Sequence, residues 1–152
     1  MFHHRQANAW NRPMVRVAIA TLAMSLSTSA LAASSARDGT AIALDRCLAV
    51  PANASTAGQT DCEAAALRGY DRRMNVAYAA LLRRLPVPVG ERLRRSQRAW
   101  LAYRNVEGIT RDALYATRQG TMYVPMQADD AVVLVGDRAR LLERYVRALE
   151  IG

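Results

Sequence analysis

Asp71 and Asn75 lie one helical turn apart, and Gln97 and Arg104 lie two turns apart; all four sit inside apolar stripes of helical period. The first stripe reads Leu67, Asp71, Met74, Asn75, Tyr78, Leu81, Leu85, and the second Leu93, Gln97, Trp100, Leu101, Arg104. A polar group on an inward face costs free energy unless a partner satisfies it. A carboxylate held there is either a perturbed acid or base or one half of a structural ion pair. The spacing favours the structural role. Asp71 and Arg104 are expected to form a buried interhelical ion pair, and Asn75 and Gln97 a buried amide pair. Trp100, mid-stripe, is expected in the core.

Composition restricts the remaining chemistry. The only histidines are His3 and His4, in a leader expected to be removed, so the usual general base and metal ligand are missing downstream. The only cysteines are Cys47 and Cys62, too few to hold zinc without histidine. No metal, cofactor or catalytic residue is predicted, and enzyme is the least favoured class. In an oxidising compartment the two cysteines are expected to pair, closing a loop worth about 3 kcal/mol in the chain-entropy picture.

The first 32 residues read as a secretory signal peptide. Arg5, Arg12 and Arg16 precede an apolar run from Val17 to Leu26, and Ala30-Leu31-Ala32 ends it as a cleavage pattern. That run is too short to span a bilayer. Translation starts at Met1 or at Met14. Cleavage after Ala32 implies a periplasmic or secreted protein with no integral membrane span. All 21 Lys-plus-Arg residues are arginine, and three leave with the leader, taking the net charge from +8 to +5. Outside the cytoplasm such a charge points away from nucleic acid. It points toward anionic envelope polymers or another envelope or secreted protein.

Residues 33–41 are small and polar and are expected to be flexible; residues 42–152 are expected to form the domain. A short helix is predicted from Ile42 to Val50, followed by a loop from Pro51 to Gln59. Thr60 and Glu63 read as a capping box that starts a helix from Asp61 to Leu85. Pro86-Val87-Pro88-Val89-Gly90 breaks the pattern, and a second long helix is predicted from Gly90 to Ala116. Gly120 to Met126 is read as a loop, and Ala128 to Leu149 as the last helix, with Leu134, Arg138, Leu141, Leu142 and Tyr145 inward. The fold class is all-α, a small antiparallel bundle of three main helices with a disulfide-tied leading segment.

Two surfaces remain as binding candidates. The predicted loop carries large apolar side chains, Met122, Tyr123, Val124 and Met126, with Asp129 and Asp130 just beyond. It is either an interface or a flap folded over the bundle end. Arg92, Arg94, Arg95 and Arg98 form a basic run at a helix start, where cations oppose the macrodipole. It is either a solvated face or a site for an anionic polymer.

The chain resembles the LprI-like family of bacterial envelope proteins, named after a lysozyme inhibitor. The resemblance rests on Asp71, Met74, Asn75 and Tyr78 in one helix and on Gln97-Arg98-Ala99-Trp100-Leu101 with Tyr103-Arg104 in the next. Gly120, Thr121 and Arg138 extend it, over roughly Cys47 to Tyr145. It implies a non-enzymatic inhibitor that occludes a muramidase cleft. Family members often carry a second cysteine pair, where this chain has Gly108 and Asp130. The tie between the second and third main helices is therefore expected to be missing.

Overall fold

The computed structural model describes residues 38–151, and the signal-peptide reading lies outside them. The chain order is α1 (Gly39–Leu48), a 3-10 turn (Pro51–Asn53), α2 (Thr56–Arg84), α3 (Val87–Ala116) and α4 (Tyr123–Ala148). The all-α expectation holds. Among the described residues no helix is long and apolar enough to cross a membrane.

The core is the seam between α2 and α4. Ala66, Tyr70, Met74, Ala77 and Leu81 recur every three or four residues, so they share one face of α2. They meet Val132, Val135, Ala139 and Leu142 of α4. The small side chains Ala66, Ala77 and Ala139 are buried in this seam, which favours close approach of the two helices. α3 supplies buried residues only from its first turns, Gly90, Leu93 and Gln97, with Trp100 packed at the core margin; beyond them it leaves the core and meets α4 again through side-chain bonds near its C-terminal end. That divergence sets the functional geometry described below.

Helix starts depart from the sequence reading, each for a physical reason. Asp38 caps α1 by accepting from the N–H groups of Thr40 and Ala41 at 3.1 and 3.2 Å. Residues 38–41 are therefore an ordered cap and first turn, and only 33–37 of the expected flexible segment fall outside the description. α2 begins at Thr56 because Ser55 Oγ accepts from Gly58 N at 3.1 Å. The Thr60–Glu63 capping box is not a cap. Thr60 donates to the Thr56 carbonyl at 2.8 Å inside the helix, and Glu63 is buried. Gly58 is required where it stands, since a Cβ would lie 2.7 Å from the Asn53 backbone. α3 starts at Val87 with proline in its first turn, where a missing N–H costs nothing. α4 starts at Tyr123, absorbing most of the predicted loop, and Pro125 is tolerated there for the same reason. The reversal before it uses Gly120 at φ 111°, a conformation that favours glycine.

The Cys47–Cys62 disulfide is formed and ties the end of α1 to the second turn of α2, with Cα atoms 5.7 Å apart. Asn53 Nδ2 donates to the Cys47 carbonyl at 2.9 Å, closing the connection over the bridge.

Candidate functional site

The expected polar cluster divides in two. Gln97 and Arg138 form its buried half. Arg138 Nε and Nη2 donate to Gln97 Oε1 at 3.0 and 2.9 Å, and Nη2 also reaches Ser96 Oγ at 3.3 Å. Arg138 is 8% exposed and faces no carboxylate here; burial pushes its pKa down. Trp100 is only half-buried. Its ring lies under the guanidinium groups of Arg104 and Arg138, at 5.5 and 5.9 Å.

Asp71, Asn75 and Arg104 form the other half, and it is not buried. Arg104 Nη1 lies 3.9 Å from Asp71 Oδ1, with side chains 35% and 46% exposed. The buried ion pair is therefore corrected to a loose surface contact. Asn75 donates to Asp71 Oδ2 at 3.1 Å on its own helix and does not pair with Gln97. The reason is the divergence of α3: Asp71 and Arg104 face each other where the two helices have already separated.

The tightest polar centre was not anticipated. The Asp38 carboxylate receives Arg73, Arg140 Nη1 at 2.9 Å and the Tyr70 hydroxyl at 2.8 Å. Arg73 also makes a two-point contact with Glu143, at 2.7 and 2.8 Å. Burial raises the Asp38 pKa, but the hydrogen bonds from Arg140, Tyr70 and Arg73 outweigh it and hold the carboxyl well below the usual range. A sequence signal existed: an aspartate before Gly39-Thr40, at the head of an apolar run, has the form of an N-cap. Its long-range partners left no such trace.

At the opposite end of α4 lies the bundle tip. Met122 is 63% exposed, and Val124 and Met126 are also exposed. Tyr123 is half-buried and packs on Tyr115, with ring centroids 6.4 Å apart. Tyr115 donates to Asp130 at 2.7 Å, and Gln127 donates to Asp112 at 2.8 Å, so side-chain bonds join α3 and α4 at the tip. One of these bonds ends on Asp130, a position where the resemblance implies a cysteine. Asp129 is exposed, and behind it Glu63 is enclosed, with Oε2 lacking a partner. Burial first, and the Asp129 charge second, raise the Glu63 pKa.

Along the start of α3, Arg94 pairs with Glu91 at 2.8 Å. Arg92, Arg95 and Arg98 are exposed, with no carboxylate within ion-pair distance among the described residues. No group of three His, Cys, Asp or Glu side chains able to hold a metal ion occurs among the described residues.

Comparison with known proteins adds the following. The family described as Lysozyme inhibitor LprI matches residues 47–142. A crystal structure of an uncharacterized protein from Burkholderia thailandensis superposes with a TM-score of 0.70 at 34% identity. The match covers 74% of this chain and 55% of that one, so it spans about half of that protein's length. No curated protein matches.

Proposed function

Because the chain belongs to the LprI family, matched over residues 47–142, we propose that it is a non-enzymatic extracytoplasmic binding protein that inhibits a lysozyme-type muramidase by occluding its cleft. The observation that supports the tip as the contact surface is Met122, 63% exposed. It stands beside exposed Val124 and Met126 and the carboxylates of Asp129 and Asp130. An apolar anchor rimmed by polar groups is the usual form of an interface centre. Acidic groups at the tip suit a basic target even though the mature chain is itself basic overall. Tyr123, packed against Tyr115, is assigned to supporting the tip rather than to inserting into the target.

Cell-wall lysis by several lysozymes, with and without the chain, tests this reading. Stoichiometric, saturable inhibition of one lysozyme class is expected. Met122→Glu should weaken it by about tenfold or more while leaving the melting temperature unchanged. A folded, disulfide-bonded chain that fails to inhibit at large molar excess removes the reading. A second reading, an anionic envelope polymer on Arg92, Arg95 and Arg98, is favoured by their lack of carboxylate partners. Binding that collapses with added salt, and that needs these arginines, would distinguish it.

A further inference from the structure

Where α3 leaves the core, a groove of about 750 Å³ opens between α2, α3 and α4. Its floor is apolar, built from Leu67, Leu134 and Val135, with the exposed Ile109 at its rim. Its walls carry four arginines, Arg68 and Arg72 from α2 and Arg104 and Arg111 from α3. Two carboxylates, Asp71 and Asp112, leave the walls with an excess of positive charge. Asp112 is occupied by Gln127 and Asp71 by Asn75. Arg68, Arg72 and Arg111 have no carboxylate within ion-pair distance among the described residues. Arg111 Nε is enclosed and lacks an acceptor.

We propose that this groove binds a small amphipathic anion, its carboxylate or phosphate headgroup held by Arg68 and Arg111 and its apolar body laid on Leu67, Leu134 and Val135. Four wall guanidiniums against two carboxylates already hydrogen-bonded within the chain leave N–H donors that an anionic oxygen would satisfy. Guanidinium suits both headgroups because its donors match paired oxygens. The size suits a small molecule. The groove runs along α3 from Arg104 to Asp112, about 12 Å at 1.5 Å per residue. The observed volume falls within the range of small-molecule sites, about 300–1,000 Å³. This site goes beyond the inhibitor reading and does not depend on it.

Calorimetric titration of the full chain tests the proposal with four probes of one chain length: dodecanoate, dodecyl phosphate, dodecyl maltoside and dodecyltrimethylammonium. Each is kept below its micelle concentration. The two anions are expected to bind with one-to-one stoichiometry, and the neutral and cationic probes at least about tenfold more weakly. Whichever anion binds more tightly identifies the headgroup source. Arg68→Gln and Arg111→Gln should each weaken the anions by about tenfold. Gly108→Leu should block the groove without unfolding the chain, since a Cβ there meets only the Arg111 side chain, at 3.8 Å. The proposal is overturned if neither anion binds, if maltoside binds as well as phosphate, or if binding survives Gly108→Leu. A synthetic acidic amphipathic peptide binding in place of both anions would overturn it in favour of a protein occupant.

Discussion

The centre around Asp38 allows a prediction that separates its two roles. The side chain caps α1 and also receives Arg73, Arg140 and Tyr70. Asparagine is as good an N-cap as aspartate, so Asp38→Asn keeps the cap and removes the charge. Alanine removes both. Neither arginine would be stranded, because Arg73 keeps Glu143 and Arg140 keeps Asp137. The full penalty of a broken buried pair, about 3–5 kcal/mol, therefore does not apply. Asp38 is 21% exposed, which discounts the charge contribution further. We expect about 2 kcal/mol from the lost charge-assisted bonds in Asp38→Asn. The lost cap adds about 1 kcal/mol in Asp38→Ala. In a domain of this size 1 kcal/mol moves Tm by about 4 °C, so the two variants should melt about 8 and 12 °C below the parent.

The pH dependence follows from the depressed folded pKa of Asp38. The stability it contributes is complete above the ordinary aspartate range, about pH 4, and drains away as pH falls toward the folded value. The gap between parent and Asp38→Asn should be constant from about pH 5 to 8 and shrink below about pH 4. Circular-dichroism melts across that series provide the assay. An Asp38→Asn protein melting within about 1 °C of the parent at neutral pH, or a gap that widens in acid, would refute the reasoning.

Gln97→Leu should lower stability by about 2–4 kcal/mol, because it leaves the buried Arg138 guanidinium with only Ser96; denaturant titration measures this, and a loss below about 1 kcal/mol would show that Arg138 escapes to solvent. Asp71→Asn and Arg104→Ala should each change stability by less than about 1 kcal/mol, as suits a half-exposed contact at 3.9 Å. Melts lowered by more than about 8 °C would restore the buried-pair reading. Reducing the Cys47–Cys62 bridge, with its sequence separation of 15, should cost about 3 kcal/mol. Melts with and without reductant report it, and unchanged melting would mean that α1 is held by the Asp38 centre alone.

Periodicity was enough to assign four helices and part of their inward faces, at Met74, Leu81, Leu93, Gln97, Arg138 and Leu142; the buried face of α2 also runs through Ala66, Tyr70 and Ala77 and that of α4 through Val132, Val135 and Ala139, outside the expected stripes, and Tyr145, expected inward, is exposed. Met74 and Leu81, like Arg138 and Leu142, repeat at helical spacing whatever they pack against, and a chain with two cysteines has only one intramolecular pairing. Turn chemistry located the breaks at Pro86 and Gly120 but misplaced starts at Thr60 and Ala128. A hydroxyl inside a helix can bond back to a carbonyl as readily as cap a terminus, and proline fits a first turn as well as a loop. The polar residues of the stripes were legible as a set and not as pairs. A stripe about 100° wide has a centre and two margins, and only the distance to the next helix decides which positions lose their water. The fully buried positions of α3 end at Gln97, and half-buried Trp100 marks where the helix leaves the core. Gln97 is thereby buried against Arg138, while Asp71 and Arg104 stay near solvent, at the edge of a groove. The Asp38 centre depends on contacts between residues as much as 102 positions apart in the chain. Local sequence specifies each helix and its apolar face; the angles between helices, which select polar partners and open the groove, exist only once the faces have packed.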